Sequence, residues 1–130
     1  MKIIIVGGDG FCGWPASLYF SDRGHQVKII DNLSRRNIDT ELGTASLTPI
    51  ETIHNRIAAW ANLGNKEISF QNIDLALDYH ELVSCLITFQ PDAIIHFGEQ
   101  RAAPYSMKSS KTKRYTVDNN IAATHNLLCA

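Results

Sequence analysis

A parallel, doubly wound α/β fold is predicted by two features of this sequence. A β-branched run over residues 2–6 leads directly into three glycines spaced three residues apart, and a helix-like segment follows. Strand-like and helix-like segments then alternate along the chain, which is typical of a parallel sheet with right-handed crossovers. The 130 residues are 45% hydrophobic, which is enough apolar surface to form one packed domain.

The glycines Gly7, Gly10 and Gly13 follow the first strand and indicate the first strand-to-helix turn of a dinucleotide-binding fold. Gly7 is expected to permit the tight turn, and Gly10 to let backbone N–H groups approach a pyrophosphate. Gly13 is expected to let the helix pack closely on the sheet. The pattern therefore predicts a Rossmann-like nucleotide site at this turn.

The first helix is predicted over residues 11–23, with Gly24 in the position that follows a helix end. Its expected packing residues include Phe11, Leu18 and Tyr19. Two tryptophans at helical positions, Trp14 and Trp60, are also expected to belong to the core, because no basic, aromatic-rich groove accompanies them.

The second strand, residues 27–30, ends at Asp31. In a βαβ unit, an acidic side chain at this position accepts the hydroxyls of an adenosine ribose and repels a 2′-phosphate, which favours NAD over NADP. Arg35 and Arg36 follow in the next segment. Their positive charges could bind a 2′-phosphate. Because Asp31 is present, the favoured interpretation is that the two arginines lie in a solvated loop or contact the NAD diphosphate.

The later elements are predicted from periodicity and capping signals. They are a polar crossover loop over residues 32–48, a helix over residues 48–64 with a capping box at Thr48 and Glu51, a strand over residues 68–73, a helix from Asp78 to Phe89 that opens with a second capping box, an apolar strand over residues 92–97 covered on both faces, and a helix over residues 115–130. This inventory predicts an incomplete sheet with the strand order 3-2-1-4.

Composition limits the classes of partner. The formal net charge of −1 gives no general attraction to nucleic acid or to an anionic membrane. No leader and no membrane span are expected, so the predicted location is cytoplasmic. Cys12, Cys85 and Cys129 are interpreted as reduced packing residues, and the five histidines have no metal-ligand spacing, so no metal site is predicted.

Several strings occur in a fixed order along the chain: Gly7-x-x-Gly10-x-x-Gly13, Asp31-Asn32-Leu33, Asp74-Leu75, His96-Phe97-Gly98 and the segment 119–128. In this order they resemble, over the whole chain, the extended short-chain dehydrogenase/reductase family of nucleotide-sugar epimerases and dehydratases. The fuller strings at residues 7–14, 31–36, 46–54 and 96–107 are similar to the members that convert UDP-glucose and sulfite into a sulfonated UDP-sugar.

The resemblance implies NAD as the cofactor and assigns its contacts. Asp31 and Asn32 would hold the adenosine ribose with Arg35 and Arg36 nearby, and Asp74 and Leu75 would border the adenine. The nicotinamide side would be lined by Phe97, Gly98, Glu99 and Arg101. The implied cofactor set also includes Phe11 and Cys12 of the glycine turn and Asn119, and the implied substrate contacts are Arg101 and Tyr105.

The family's catalytic base is a tyrosine with a lysine four residues later, and no tyrosine of this chain has a lysine at that spacing. No catalytic residue is therefore assigned, and the chain by itself is expected to be inactive. We interpret residues 1–130 as the N-terminal part of an NAD-binding domain. The rest of the sheet and the substrate domain would lie outside this chain, and the full-length protein is expected to be a homodimer. The alternatives are another NAD-dependent UDP-sugar epimerase or dehydratase, or a non-catalytic NAD-binding module.

Overall fold

A computed structural model describes residues 1–64 and 67–130. These residues divide into two compact units. The first unit comprises Met1–Asn72 and Pro91–Phe97, and the second comprises Ile73–Gln90 and Gly98–Ala130. In the described part of the chain, the first unit holds the β-sheet and three helices, and the second holds three further helices.

The sheet of the first unit has four parallel strands: β1 (Lys2–Val6), β2 (Gln26–Ile30), β3 (Ile68–Gln71) and β4 (Ala93–His96). Their order is β3-β2-β1-β4, which confirms the predicted order and the Rossmann-like fold class. Because all strands run in the same direction, the carboxyl ends of β1 and β2 lie side by side, with Val6 opposite Ile30.

The centre of the sheet is buried on both faces, as expected for a parallel sheet. Ile3 and Ile5 of β1 belong to one apolar cluster, and Ile4, which points to the opposite face, is fully buried. The prediction that β4 is covered on both faces is wrong. Its Ile94 is 36% exposed, because β4 lies at an edge of the described sheet with β1 as its neighbour.

The first helix, α1 (Gly13–Asp22), begins two residues later than predicted and ends, as predicted, before Gly24, which has a φ of 81°. Its buried residues are small: Gly13, Ser17 and Ser21. The expectation that Phe11 and Tyr19 pack in the core is wrong, since they are 80% and 52% exposed. The small residues let the helix axis approach the sheet closely, while Trp14, Leu18 and Phe20 beside them pack partly buried against the apolar cluster.

The predicted crossover loop contains a helix, α2 (Ser34–Glu41), so that part of the prediction is wrong. The next helix, α3 (Ile53–Gly64), begins five residues after the predicted start at Thr48. Its first turn is capped by Thr52, whose Oγ1 accepts a hydrogen bond from the N–H of Asn55 at 3.2 Å, whereas residues 49–52 are not helical. Trp14 and Trp60 are partly buried against the apolar cluster, in agreement with their expected core role.

The second unit contains α4 (Tyr79–Phe89), α5 (Ala103–Ser106) and α6 (Ser110–Cys129). The predicted capping box at Asp78 is absent, because the Asp78 carboxylate instead accepts a hydrogen bond from the N–H of Asp74 at 2.9 Å. The last helix begins five residues earlier than predicted, at a capping box between Ser109 and Thr112. The short helix α5 was not predicted.

The three cysteines differ in environment. Cys85 is buried as expected, but Cys12 and Cys129 are exposed, so their interpretation as packing residues is wrong. Within residues 1–64 and 67–130, no helix combines the length and the apolar character needed to cross a membrane.

Candidate dinucleotide-binding site

The glycine turn begins directly after β1. Gly7 has a φ of 77°, a conformation that side-chain-bearing residues rarely adopt. Its N–H donates to the carbonyl of Ile30 at 2.8 Å, and its own carbonyl accepts from the N–H of Gly10 at 3.1 Å. These bonds place a tight turn at the carboxyl end of β1, next to the end of β2.

The turn packs directly against the start of α1. A Cβ atom on Gly13 would lie 2.1 Å from the carbonyl oxygen of Gly7 and 2.6 Å from the Cα of Gly8. A Cβ atom on Gly10 would meet that same carbonyl oxygen at 3.2 Å, which is tight but not a severe overlap. Gly13 is therefore the glycine that the packing of helix on turn requires most.

Backbone donors are available at the mouth of this turn. Phe11 and Cys12 are exposed and lie immediately before α1, and their N–H groups have no hydrogen-bond acceptor within the described residues. Unpaired N–H groups at a helix N-terminus, together with the helix dipole, favour an anionic group such as a pyrophosphate. The turn therefore fits the phosphates of a dinucleotide.

Asp31 follows β2, and backbone hydrogen bonds hold its carboxylate in place. Oδ2 accepts from the N–H of Asp9 at 2.9 Å and Oδ1 accepts from the N–H of Leu33 at 2.8 Å. Each carboxylate oxygen has a second lone-pair position. The oriented carboxylate therefore retains the capacity to accept two ribose hydroxyls, which is the chemistry expected of this position.

Burial raises the pKa of Asp31 above its ordinary value, since the charged form loses water. The two backbone hydrogen bonds, from Asp9 and Leu33, act in the opposite direction. The charge of Asp9 raises the pKa further and the charge of Arg36 lowers it. Ionised Asp31 thus depends on these donors and on Arg36 to remain charged in a partly desolvated position.

The raised pKa predicts a pH-dependent difference between wild type and Asp31→Asn. The folded protein binds the Asp31 proton more tightly than the unfolded chain does. This contribution to stability is complete below the unfolded pKa of about 3.9 and is lost as pH rises through the folded pKa. The free energy of unfolding of Asp31→Asn should therefore increase relative to wild type as pH rises above about 3.9. Urea titrations across this range test the sign, and a relative loss by the variant contradicts it.

Asp9, inside the glycine turn, was missed by the sequence analysis. It is 5% exposed, and its Oδ2 accepts a hydrogen bond from Nε of Arg36 at 2.7 Å. Its Oδ1 accepts from Nη2 of Arg56, which also lies 3.4 Å from the Asp9 carbonyl oxygen. A buried carboxylate requires a charged partner. An acid inside the glycine turn is therefore the one signal in the sequence from which a partner arginine could have been predicted.

Arg56, on α3, was also missed. Its guanidinium carbon lies 4.6 Å from the centre of the Trp14 ring, in cation–π geometry. Burial lowers the pKa of Arg56, and the neighbouring Asp9 carboxylate opposes this effect. The Nε atom of Arg56 is buried without a hydrogen-bond partner in the described part of the chain. The guanidinium is thus held by Asp9 and Trp14 between α3 and the glycine turn.

The two arginines predicted near the ribose have different environments. Arg36 turns toward Asp9 and its side chain is 29% exposed, whereas Arg35 is exposed to solvent. The neighbouring Asn32 accepts a hydrogen bond on Oδ1 from the N–H of Ser34 at 3.0 Å, at the start of α2. The first unit therefore brings together the glycine turn, Asp31, Asn32 and Arg36.

Phe97 is the last residue of the first unit. It is 41% exposed, and its N–H donates to the carbonyl of Val6 at 2.8 Å. The other implied contacts lie in the second unit. Asp74 accepts the N–H of Ala76 at 2.9 Å through Oδ1, and the carbonyl of Leu75 accepts from Nδ2 of Asn126 at 2.8 Å.

The loop before α5 is held by α6 within the second unit. Oδ1 of Asn120 accepts from the N–H of Gln100 at 2.8 Å, and its Nδ2 donates to the Gln100 carbonyl at 3.1 Å. Glu99 accepts a hydrogen bond from Thr124 at 3.1 Å. The remaining predicted residues are Gly98, which is half-buried, Arg101, which is exposed, and Asn119, which donates to Asn120.

Tyr105 is 7% exposed and packs edge-to-face on Tyr115, with ring centres 6.2 Å apart. Its predicted contact with a substrate, like the cofactor contacts of the other residues of the second unit, stays a prediction. In the part of the chain that the structure describes, no cluster of three or more His, Cys, Asp or Glu residues could hold a metal ion.

A parallel sheet of this order, with a glycine turn after β1 and an oriented carboxylate after β2, defines the class of dinucleotide-binding domains. A sequence profile of the GDP-mannose 4,6 dehydratase family matches residues 4–130, and the chain belongs to this family. The resemblance to nucleotide-sugar epimerases and dehydratases is thereby confirmed.

Among known proteins, the chain is similar to the chloroplastic UDP-sulfoquinovose synthase of Spinacia oleracea, with 44% identity over 129 residues, or 99% of this chain and 27% of that protein. It is 39% identical over 124 residues to the UDP-sulfoquinovose synthase of Sulfolobus acidocaldarius, covering 95% of this chain and 31% of that protein. A UDP-glucose 4-epimerase of Klebsiella pneumoniae is 31% identical over 132 residues, covering 79% of that relative.

The chain thus spans less than a third of the length of both synthases. Because the spinach relative is described as chloroplastic, the predicted cytoplasmic location stays a prediction. Among solved structures, a UDP-glucose-4-epimerase from Stenotrophomonas maltophila with bound NAD and formylated UDP-arabinopyranose superposes with a TM-score of 0.74. At 20% identity it covers 98% of this chain and 32% of that structure, which supports the fold.

Proposed function

We propose that this chain is the NAD-binding part of an enzyme that forms UDP-sulfoquinovose from UDP-glucose and sulfite. The observation that carries the proposal is the 44% identity to a UDP-sulfoquinovose synthase over 99% of the chain. The glycine turn and the oriented Asp31 carboxylate of the first unit support it. The similarity of the string at residues 96–107 to the members that form a sulfonated UDP-sugar supports the same proposal. We infer that the full-length protein is a homodimer.

In this proposal the residues of the first unit bind and orient the cofactor. The N–H groups of Phe11 and Cys12 bind the pyrophosphate, and Asp31 accepts the hydroxyls of the adenosine ribose. When bound, NAD supplies a reversible hydride acceptor for the oxidation of the sugar at C4. The coenzyme choice follows from charge, since a 2′-phosphate would face the Asp31 carboxylate, which two backbone N–H groups hold in place.

Coenzyme binding tests the first part of the proposal. By calorimetry, the full-length protein should bind NAD more tightly than NADP by about tenfold or more. Asp31→Ala should weaken NAD binding and reduce the preference for NAD over NADP. The substitution removes both the acceptor of the ribose hydroxyls and the charge that repels a 2′-phosphate. Asp39→Ala, which removes the same charge on α2, is the matched control and should leave the ratio unchanged. Equal affinity of the wild type for both coenzymes would contradict the assignment of Asp31.

Product analysis tests the reaction. Incubation of the full-length protein with UDP-glucose and sulfite should give UDP-sulfoquinovose by mass spectrometry. The Klebsiella relative favours one second candidate, a UDP-glucose 4-epimerase. Sulfite-independent formation of the C4 epimer of UDP-glucose, with no sulfonated product, would support that candidate and reject the first.

A further inference from the structure

Asp9 connects four segments of the first unit. Its backbone N–H donates to Asp31 after β2, and its carboxylate binds Arg36 of α2 and Arg56 of α3, while Asp9 itself lies in the turn after β1. Because the Asp9 side chain is 3% exposed, these ion pairs are shielded from solvent on the carboxylate side. Shielded, hydrogen-bonded ion pairs hold their geometry more strongly than exposed pairs.

Arg36 is close enough to Asp31 that its charge lowers the pKa of that carboxylate. In domains that bind NADP, an arginine near the end of β2 accommodates the 2′-phosphate, whereas an acid at this position binds the ribose hydroxyls of NAD. In this chain, the Nε of Arg36 is instead bound to Asp9 at 2.7 Å.

The charges of this cluster balance. The formal charges of Asp9 and Asp31 are matched by those of Arg36 and Arg56, so the formal charges of the cluster sum to zero. Neutralising Asp9 would leave one net positive charge beside the ribose position and release one donor of Arg36. Both changes favour the doubly negative 2′-phosphate.

We propose that Asp9 is a specificity-determining positioning residue, which excludes NADP by holding Arg36 away from the 2′-phosphate. Arg56 supports this role by binding the other carboxylate oxygen and so orienting Asp9 toward Arg36. The inference rests on the proposed NAD site, and it adds a second determinant to the repulsion by Asp31. Coenzyme choice in this chain would then depend on a residue inside the glycine turn.

The test compares NAD and NADP affinities of the full-length protein for the wild type, Asp9→Asn and the double variant Asp9→Asn/Arg36→Ala. The near-isosteric Asp9→Asn should narrow the NAD/NADP affinity ratio by about tenfold, mainly through tighter NADP binding. The double variant should lose this gain in NADP affinity. Asp39→Asn on α2 carries the same change in charge and is the control, with an unchanged ratio.

If Asp9→Asn lowers the affinities for NAD and NADP equally, Asp9 only supports the fold. That result would overturn this inference without contradicting the proposed NAD site. Wild-type protein that binds neither coenzyme would instead overturn the proposed function. If Asp9→Asn does not fold, the partly exposed Arg36→Gln decides. The proposal requires that Arg36→Gln bind NADP no more weakly than wild type does. A loss of NADP affinity would show that Arg36 already contacts the 2′-phosphate in the wild-type protein.

Discussion

Gly13→Ala is expected to destabilise the protein by about 3 kcal/mol, the upper part of the range for forcing extra atoms into a packed site. The added Cβ would lie 2.1 Å from the carbonyl oxygen of Gly7 and 2.6 Å from the Cα of Gly8. Both neighbours are backbone atoms of the turn, so the start of α1 or the turn itself must shift. Urea unfolding of the full-length protein, followed by circular dichroism, measures the loss.

Gly10→Ala is the matched control, because it makes the same substitution in the same turn. Its Cβ would meet a single neighbouring atom, the Gly7 carbonyl oxygen, at 3.2 Å, and Gly10 does not require a positive φ. The expected loss of stability is below about 1 kcal/mol. Equal losses of stability from Gly10→Ala and Gly13→Ala would show that α1 does not pack tightly against the turn at Gly13.

Arg56→Met is expected to lower the free energy of unfolding by about 3 kcal/mol, since it removes one of the two cations that balance a buried carboxylate. Asp9 would retain Arg36 as its remaining cation. The variant also loses the cation–π contact with Trp14. Methionine preserves most of the length and the apolar stem of the side chain, so the change reports mainly on charge and hydrogen bonding.

Arg23→Met provides the control for this measurement. The Arg23 guanidinium also lies over an aromatic ring, with its carbon 3.5 Å from the centre of Tyr19, but it is exposed and donates to a backbone carbonyl rather than to a buried acid. Its replacement should cost less than about 1 kcal/mol. Similar losses at Arg23 and Arg56 would mean that the Asp9–Arg56 pair contributes little beyond ring stacking.

Local signals predicted the architecture of the first unit well. The β-branched run before Gly7 and the apolar run before Asp31 are buried strands, because central strands of a parallel sheet need apolar residues on both faces. Helix boundaries were predicted less well. Leu33 adopts a left-handed φ of 57° and packs against the apolar cluster, and α2 begins directly after it. Propensity rules do not anticipate this arrangement, since packing of Leu33 outweighs its local preference.

The candidate site shows the same division between local and non-local information. Asp31 was predicted because its position after a strand is a property of neighbouring residues. The partnership of Asp9 with Arg56 joins residues 47 positions apart, and no spacing rule connects them. Phe11 was expected among the packing residues from its apolar character, but it precedes α1 and is 80% exposed.

The sequence by itself predicted the strands, the glycine turn after β1 and the acid after β2, because these follow from short-range periodicity and from the conformational freedom of glycine. The strand order was predicted only through the fold that this turn indicates. Only the tertiary structure decided which charged groups meet behind that turn. Burial of Asp9 selects Arg36 and Arg56 as its partners, because a desolvated carboxylate is stable only where cations from other segments reach it.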